Sequence, residues 1–308
     1  MEKEEIIAQI EKFKKQYGNW TYDIPLPFDI WTNGNINLPH TRLKRIVQIV
    51  NDLVNKPLSK CRILDLGSLD GMFSIEFAQQ GAETVGIEIR EENIKKAVFC
   101  KEVLKLNNLS FIQGDARSIS VESNGTFDAI ICSGLLYHLS ASEAIGLIAK
   151  MFSMSRLVII DTHIALDANE KFVSGPNEYW GKSYREHKSS DSQDKKAKRT
   201  WASWDNNESF WFTRPSLINI LNNTGFSSVY ECFTPTHLNY GKQGLECFDR
   251  CTFVSIKSGQ CKLVTSPAAN ELDENWPENT LNYNNNLKRR IKSFHKGVRY
   301  RIRKIIKG

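Results

Sequence analysis

Carboxylates, histidines and a glycine-bearing turn recur in this chain at intervals that suit a nucleotide-like ligand with a proton acceptor beside it. The turn is Leu64-Asp65-Leu66-Gly67-Ser68-Leu69-Asp70-Gly71, set between an apolar run and a helical pattern. Gly67 and Gly71 permit a tight turn, and the expectation is that a side chain at either would collide with the ligand. Glu88 follows about 20 residues later at the end of the next apolar run, where a carboxylate accepts hydrogen bonds from both hydroxyls of a ribose. Asp115, in Gln113-Gly-Asp-Ala, ends the third run, placed to accept from the amino group of an adenine. Ser133-Gly134 ends the fourth, beside the first run, where an open α/β sheet has its crevice.

The spacing discriminates between ligands. A dinucleotide fingerprint needs glycines spaced two and then three, and here those positions are Leu69 and Met72. S-adenosylmethionine has no phosphate but carries a sulfonium cation, so an acid such as Asp65 near the turn favours it over NAD. Each residue also has a plain structural reading: a turn glycine, a strand-end glutamate, a capping aspartate. Their ordered combination carries the assignment. Methyl transfer from a sulfonium needs alignment and, for a hydroxyl acceptor, a base. His138 after the fourth run is one candidate, and His163 and Asp161 after the fifth are its rivals. The alternatives are that His138 packs between the loop and its helix, or caps Ser140, and that alignment alone suffices. Tyr137 reads as a wall of the cofactor site.

These residues need elements that deliver them to one edge. Strand-like runs at 62–66, 84–88, 109–113, 127–133 and 156–161 alternate with helical stretches at about 72–80, 91–106 and 141–152. This rhythm predicts a doubly wound α/β domain with a parallel sheet covered on both faces. A helix opening at Arg214-Pro215 and stopping at Gly225 follows, then two strands, 227–233 and 251–257, as an antiparallel pair. Upstream, residues 2–17 and a stretch from Thr41 have helical periodicity, and Trp20 to Gly34, rich in aromatics and prolines, reads as extended chain over the domain.

The predicted domains are therefore 1–40, an N-terminal helix and extended segment; 41–260, the catalytic domain; 261–287, a linker; and 288–308, a basic amphipathic tail. Residues 162–212 interrupt the rhythm and read as an irregular insertion. Its aromatics, with Tyr179, Tyr184, Trp201, Trp204 and Trp211 foremost, suit a lid that excludes water and stacks on a flat or glycosidic acceptor; plain packing over the sheet is the other reading.

The net charge of +6 is a property of the tail, because residues 288–308 hold ten Lys or Arg and no acid. The rest has 31 basic against 35 acidic residues, a body of −4. A general polyanion-binding surface is thereby disfavoured. Apolar residues at helical spacing within the tail suit an anionic membrane surface first, docking on an acidic protein surface second and nucleic acid third. The seven cysteines show no paired metal spacing, so no metal is predicted and the thiols read as reduced. With no apolar run of about 20 residues and no secretory pattern at the start, the expected location is cytoplasmic, with the tail as the route to any peripheral membrane association.

The entry segment Trp20-Thr-Tyr-Asp-Ile-Pro-Leu, the loop Asp65-Leu-Gly-Ser-Leu-Asp-Gly and Gly134-Leu-Leu-Tyr-His-Leu together resemble the class I S-adenosylmethionine-dependent methyltransferases. The resemblance spans about residues 20–257. It implies a seven-stranded sheet of order 3-2-1-4-5-7-6 with the seventh strand antiparallel. It also implies that Asp65, Gly67 and Ser133 lie near the methionine end of the cofactor, Glu88 at the ribose, and Asp115 with Ala116 at the adenine. Tyr137-His138 and the aromatic stretch before Pro215 further resemble the enzymes that modify wobble uridine in transfer RNA. The leading expectation is methyl transfer to a hydroxyl or amine of a small molecule or saccharide; transfer RNA modification and a non-catalytic cofactor-binding module are the alternatives.

Overall fold

The computed structural model describes residues 1–34, 41–232, 249–271 and 275–276. The basic tail at 288–308, most of the linker and Cys247 lie outside the described residues. The first elements are α1 (Lys3–Tyr17), a two-residue hairpin of β1 (Pro25–Leu26) and β2 (Ile30–Trp31), and α2 (Thr41–Leu53). Strand and helix then alternate: β3 (Arg62–Leu66), α3 (Met72–Gln79), β4 (Glu83–Glu88), α4 (Glu91–Val103), β5 (Leu109–Gln113), α5 (Val121–Asn124), β6 (Phe127–Ser133), α6 (Ala141–Met154) and β7 (Ser155–His163).

The sheet order is β5-β4-β3-β6-β7-β12-β11, where β11 is Ser228–Cys232 and β12 is Arg250–Ile256. The first five of these strands are mutually parallel, while β12 runs antiparallel to β7 and to β11. In chain order this is the 3-2-1-4-5-7-6 arrangement that the resemblance implies. Strands β6 and β7 are apolar along nearly their whole length because helices cover both faces, which is what unbroken runs such as Leu157–Ile160 require. One core layer holds α6 and α8 (Arg214–Thr224) against one face, around the wholly buried Leu147, Leu221 and Phe253. The other packs α2 and α3 through Ile46, Val50 and Phe77. A third cluster buries Ile6, Trp20 and Ile24 of the N-terminal segment on Phe99 and Cys100 of α4, so that segment does lie over the domain.

Local signals set the ends of the helices nearest the site. Ser140 and Glu143 form a reciprocal capping box at the start of α6. At α8, Thr213 caps with Pro215 in the first turn, and Gly225 closes the helix in the left-handed region at φ 115°.

The insertion departs from the sequence expectation. Far from irregular, it contains β8 (Glu170–Ser174), β9 (Asn177–Arg185) and β10 (Glu208–Phe212) paired as a three-stranded antiparallel sheet of order β10-β9-β8, with a short helix α7 (Gln193–Ala197) between β9 and β10. Its alternation of buried and exposed residues was masked by the charged and hydroxylated side chains on its outer face. Tyr179 illustrates the point. Proposed as a lid residue, it is 4 % exposed, packs edge-on against Phe212 and accepts a hydrogen bond from Asn223 on its hydroxyl, so it belongs to the core.

Candidate active site

The parallel strands end on one edge, and beyond it opens a cavity of about 890 Å³, near the upper end of what a drug-sized ligand occupies. It has two ends. One is walled by Glu88, Arg90, Asp115, Ala116 and Arg117; the other by Tyr137, His138, Asp161, His163, Trp211 and Arg250. Gly67, Ser133 and Gly134 also line it.

At the first end, Glu88 caps β4 and accepts from the Leu69 N–H on Oε2 (3.1 Å) and the Arg90 N–H on Oε1 (2.8 Å), which fixes its orientation and leaves acceptor capacity on both oxygens. Asp115 is held by Arg117, whose Nε reaches Oδ2 at 2.8 Å while its two other nitrogens reach Glu143 (2.5 Å) and Asp205 (2.6 Å). Those hydrogen bonds, that to Asp115 foremost, raise the Arg117 pKa above its ordinary value despite partial burial. Ser133 presents a buried Oγ with no partner among the described residues, a desolvated group that a ligand would satisfy. A carboxylate with spare lone pairs, an orphan hydroxyl and main-chain groups at Asp115–Ala116 fit an adenosyl amino acid.

Three cofactor expectations change. Asp65 does not reach the cavity: it is buried beneath the turn, accepts from Ser74 Oγ at 2.6 Å, and burial pushes its carboxyl up to about 7. It is therefore no fixed counter-charge for a sulfonium. Gly71 also lies off the cavity wall. At φ 94° a Cβ there would sit 2.8 Å from Phe111 Cζ and 3.1 Å from Ala97 Cβ, so packing, not a ligand, requires this glycine. The Ser68 hydroxyl is likewise buried away from the cavity.

At the second end, His138 sits in a 3₁₀ turn (Leu136–His138) and donates from Nδ1 to Glu186 Oε1 at 2.9 Å. Glu186 is nearly wholly buried and accepts also from Ser209 Oγ (2.7 Å) and the Ser203 N–H (3.0 Å). Burial alone would raise its pKa, but the bond and charge of His138 with the Ser209 and Ser203 donors outweigh that and hold it below the ordinary range. Strand β10 braces the same turn, with the Phe210 N–H donating to the Leu139 carbonyl (2.9 Å) and Trp211 Nε1 to the Tyr137 carbonyl (3.0 Å). With Nδ1 committed, Nε2 of His138 is left for a ligand.

The rivals are differently placed. His163 donates from Nδ1 to Asp249 Oδ1 (3.0 Å), and its Nε2 faces Arg250 Nη1 at 3.4 Å, so neither nitrogen is left for an acceptor. Asp161 is clamped by Arg250 Nη2 (2.6 Å), Arg42 Nη1 (3.2 Å) and Thr252 Oγ1 (2.7 Å). Burial raises its pKa, yet Arg250 and Arg42 more than compensate and leave it lowered, which makes it a poor base. Aromatic rings complete this end. Trp211 stacks between His163 (4.9 Å, 16°) and Tyr184 (4.6 Å, 16°), with Tyr137 edge-on to His163 at 4.6 Å. Trp201 and Trp204, by contrast, lie on the segment that also carries Asp205, towards the Glu88 end.

Sequence reasoning missed Arg42, Arg90, Arg117, Glu186, Asp249 and Arg250. For Arg250 a signal existed: an antiparallel strand beside the fifth must begin at the edge where the parallel strands end. Glu186 had none, because its partner lies 48 residues away across an insertion whose pairing was not legible.

Residues 57–207 match a family model described as "Methyltransferase domain". The chain is 27% identical over 161 residues to the ubiquinone biosynthesis O-methyltransferase of Rickettsia akari (strain Hartford), covering 50% of this chain and 59% of that protein. With the enzyme of the same name from Xylella fastidiosa (strain 9a5c) it shares 34% identity over 115 residues, 35% and 44% of the two chains. It thus spans about half the length of these curated relatives. In structure it is similar to the N-terminal domain of EvdMO1, solved in the presence of SAH and D-fucose, at a TM-score of 0.60 and 23% identity, over 84% of this chain and 98% of that one. Element order, the strand-edge cavity and these matches agree on a methyltransferase domain with a Rossmann-like sheet, to which residues 57–207 and the later strands β11 and β12 contribute.

Proposed function

We propose that the chain methylates a hydroxyl group of a saccharide or similar small molecule, with His138 as general base. The observation that carries this reading is the His138–Glu186 pair at the cavity wall, in which a buried carboxylate fixes the tautomer that leaves Nε2 as proton acceptor. Bound S-adenosylmethionine supplies an electrophilic methyl group on a sulfonium. The chain's own residues then have separate tasks. Glu88 binds the ribose hydroxyls, Asp115 and Ala116 border the adenine, and Ser133 and Gly134 approach the methionine moiety. His138 takes the proton of the acceptor hydroxyl on its Nε2. The outer face of Tyr184, stacked on Trp211, flanks the acceptor and helps exclude water, as a ring with an apolar face and a polar edge does for sugars.

Two supports stand beside the geometry. The curated relatives are named as O-methyltransferases, which favours oxygen over nitrogen as acceptor, and the structural neighbour was solved with a sugar present. The test is transfer of label from methyl-labelled cofactor to a panel of glycosides, phenols and amines by the wild type and by His138→Ala. Labelled glycoside formed by the wild type, reduced about 10²–10⁴-fold in the variant, is the expected result. Amine products only, or an unimpaired variant, would refute it.

A further inference from the structure

The strap between β9 and β10 carries Trp201 and Trp204 and would ordinarily be taken for an acceptor lid, but apart from Ser203 and Arg199, which meet Glu186 and His187, its side-chain anchors lie on the other side of the cavity. Arg90 follows β4 and caps α4. Its main-chain N–H holds Glu88, and its guanidinium, almost fully buried, donates to the carbonyls of Ala197 (3.1 Å), Arg199 (2.9 Å) and Ala202 (2.8 Å). The same guanidinium lies 5.6 Å from the Trp204 ring. On the far side of the tryptophans, Asp205 is held by Arg117, which also holds Asp115, and Asn206 Nδ2 donates to Glu143 at 2.7 Å. So the two arginines that grip the strap are the two that set the carboxylates of the β4 and β5 ends. A buried guanidinium is expensive to leave unpaired, and these carbonyls meet Arg90 only while the strap lies down.

We propose that residues 197–205 form a cofactor-side wall latched by Arg90 and Arg117, and that these arginines are positioning residues governing how tightly and for how long the adenosyl end is held. The acceptor is left to the β9–β10 sheet through Tyr184 and Trp211. This rests on the cofactor reading above. It goes beyond it by assigning the strap to one ligand and the sheet of the same insertion to the other.

The test uses the full chain and S-adenosylhomocysteine, with affinity from calorimetry and dissociation rate from stopped-flow tryptophan fluorescence. Arg90→Gln and Asp205→Asn should each weaken binding about tenfold or more, through faster dissociation, because each removes charge-assisted bonds from the latch. Acceptor KM at saturating cofactor should stay within about twofold, since neither altered side chain bonds Tyr184, Trp211 or His138. Tyr184→Ala should show the converse, unchanged S-adenosylhomocysteine affinity with a raised acceptor KM. Asp205→Asn alters a partly exposed carboxylate and keeps the test valid if Arg90→Gln fails to fold. Unchanged affinity in the latch variants alongside a shifted acceptor KM would assign the strap to the acceptor and overturn the proposal. A wild type that does not bind S-adenosylhomocysteine would overturn the cofactor reading itself, and the latch with it.

Discussion

Replacing Glu186 with glutamine isolates the orienting carboxylate while keeping its shape. Glu186 accepts three hydrogen bonds, from His138 and Ser209 on Oε1 and from the Ser203 N–H on Oε2. An amide cannot reproduce that set. With its oxygen towards His138, the NH₂ confronts the Ser203 N–H, donor against donor. Flipped, it donates to His138 Nδ1 and forces the ring proton onto Nε2, the tautomer that cannot act as base. The second outcome removes general-base catalysis, worth about 10²–10⁴-fold. The first leaves a buried donor unsatisfied at about 1–3 kcal/mol, visible as a lowered midpoint in urea. A cycle of Glu186→Gln, His138→Ala and the double variant reads the coupling. Acting as a unit, the pair should be strongly non-additive: kcat falls by orders of magnitude in each single variant and little further in the double. S-adenosylhomocysteine affinity, measured alongside, reports whether the cavity survives. A His138→Ala enzyme that binds S-adenosylhomocysteine normally and turns over within about threefold of wild type would refute the assignment of His138 as base.

Other outcomes follow from the packing and the charges. Gly71→Ala should cost about 1–3 kcal/mol in urea unfolding, since its Cβ meets Phe111 at 2.8 Å in a positive-φ backbone. Gly146→Ala, inside α6 with open space at the Cβ position, should instead stabilise by about 0.5–1 kcal/mol. Asp65, with its carboxyl raised to about 7 by burial, binds its proton more tightly folded than unfolded. Stability of the ligand-free protein should therefore fall as pH rises from about 4 to 7, by at most about 1.4 kcal/mol per unit. Asp65→Asn should flatten that slope in denaturation curves across the range, and an unaltered slope would contradict the burial argument. Tyr184→Ala should raise acceptor KM about tenfold with a smaller change in kcat, because it removes one face of the ring stack and none of the groups at the reacting atom.

Much of the sheet was legible because its evidence is local. Parallel strands buried on both faces write themselves as apolar runs, and Glu88, Asp115, Ser133 and His138 could be placed at the functional edge simply by ending such runs. The insertion was not legible for the opposite reason. Strands β8 to β10 bear alternating polar faces, and only pairing between distant segments shows them to be a sheet. Asp65 and Gly71 mark a subtler limit. A turn next to a ligand and a turn packed on Phe111 demand the same residues, so sequence identifies the glycine without saying what it makes room for. The ion pairs behaved similarly: Arg42, Asp161 and Arg250 carry no motif and meet only in space.

The clamp on Asp161 has a consequence for synthesis. Its carboxylate is buried in the middle of the sheet edge, yet Arg250 stands 89 positions further along the chain. At translation rates of about 5–20 residues per second, the aspartate waits roughly 4–18 s for that arginine. During that interval the five parallel strands can assemble, but β7 remains an open edge whose carboxylate is paired with Arg42 alone, so the Arg250 wall of the cavity is the last to be made. Ribosome-stalled chains ending before β12 should then expose β7 as an open edge, and the addition of β12 both closes the sheet and completes the grip on Asp161.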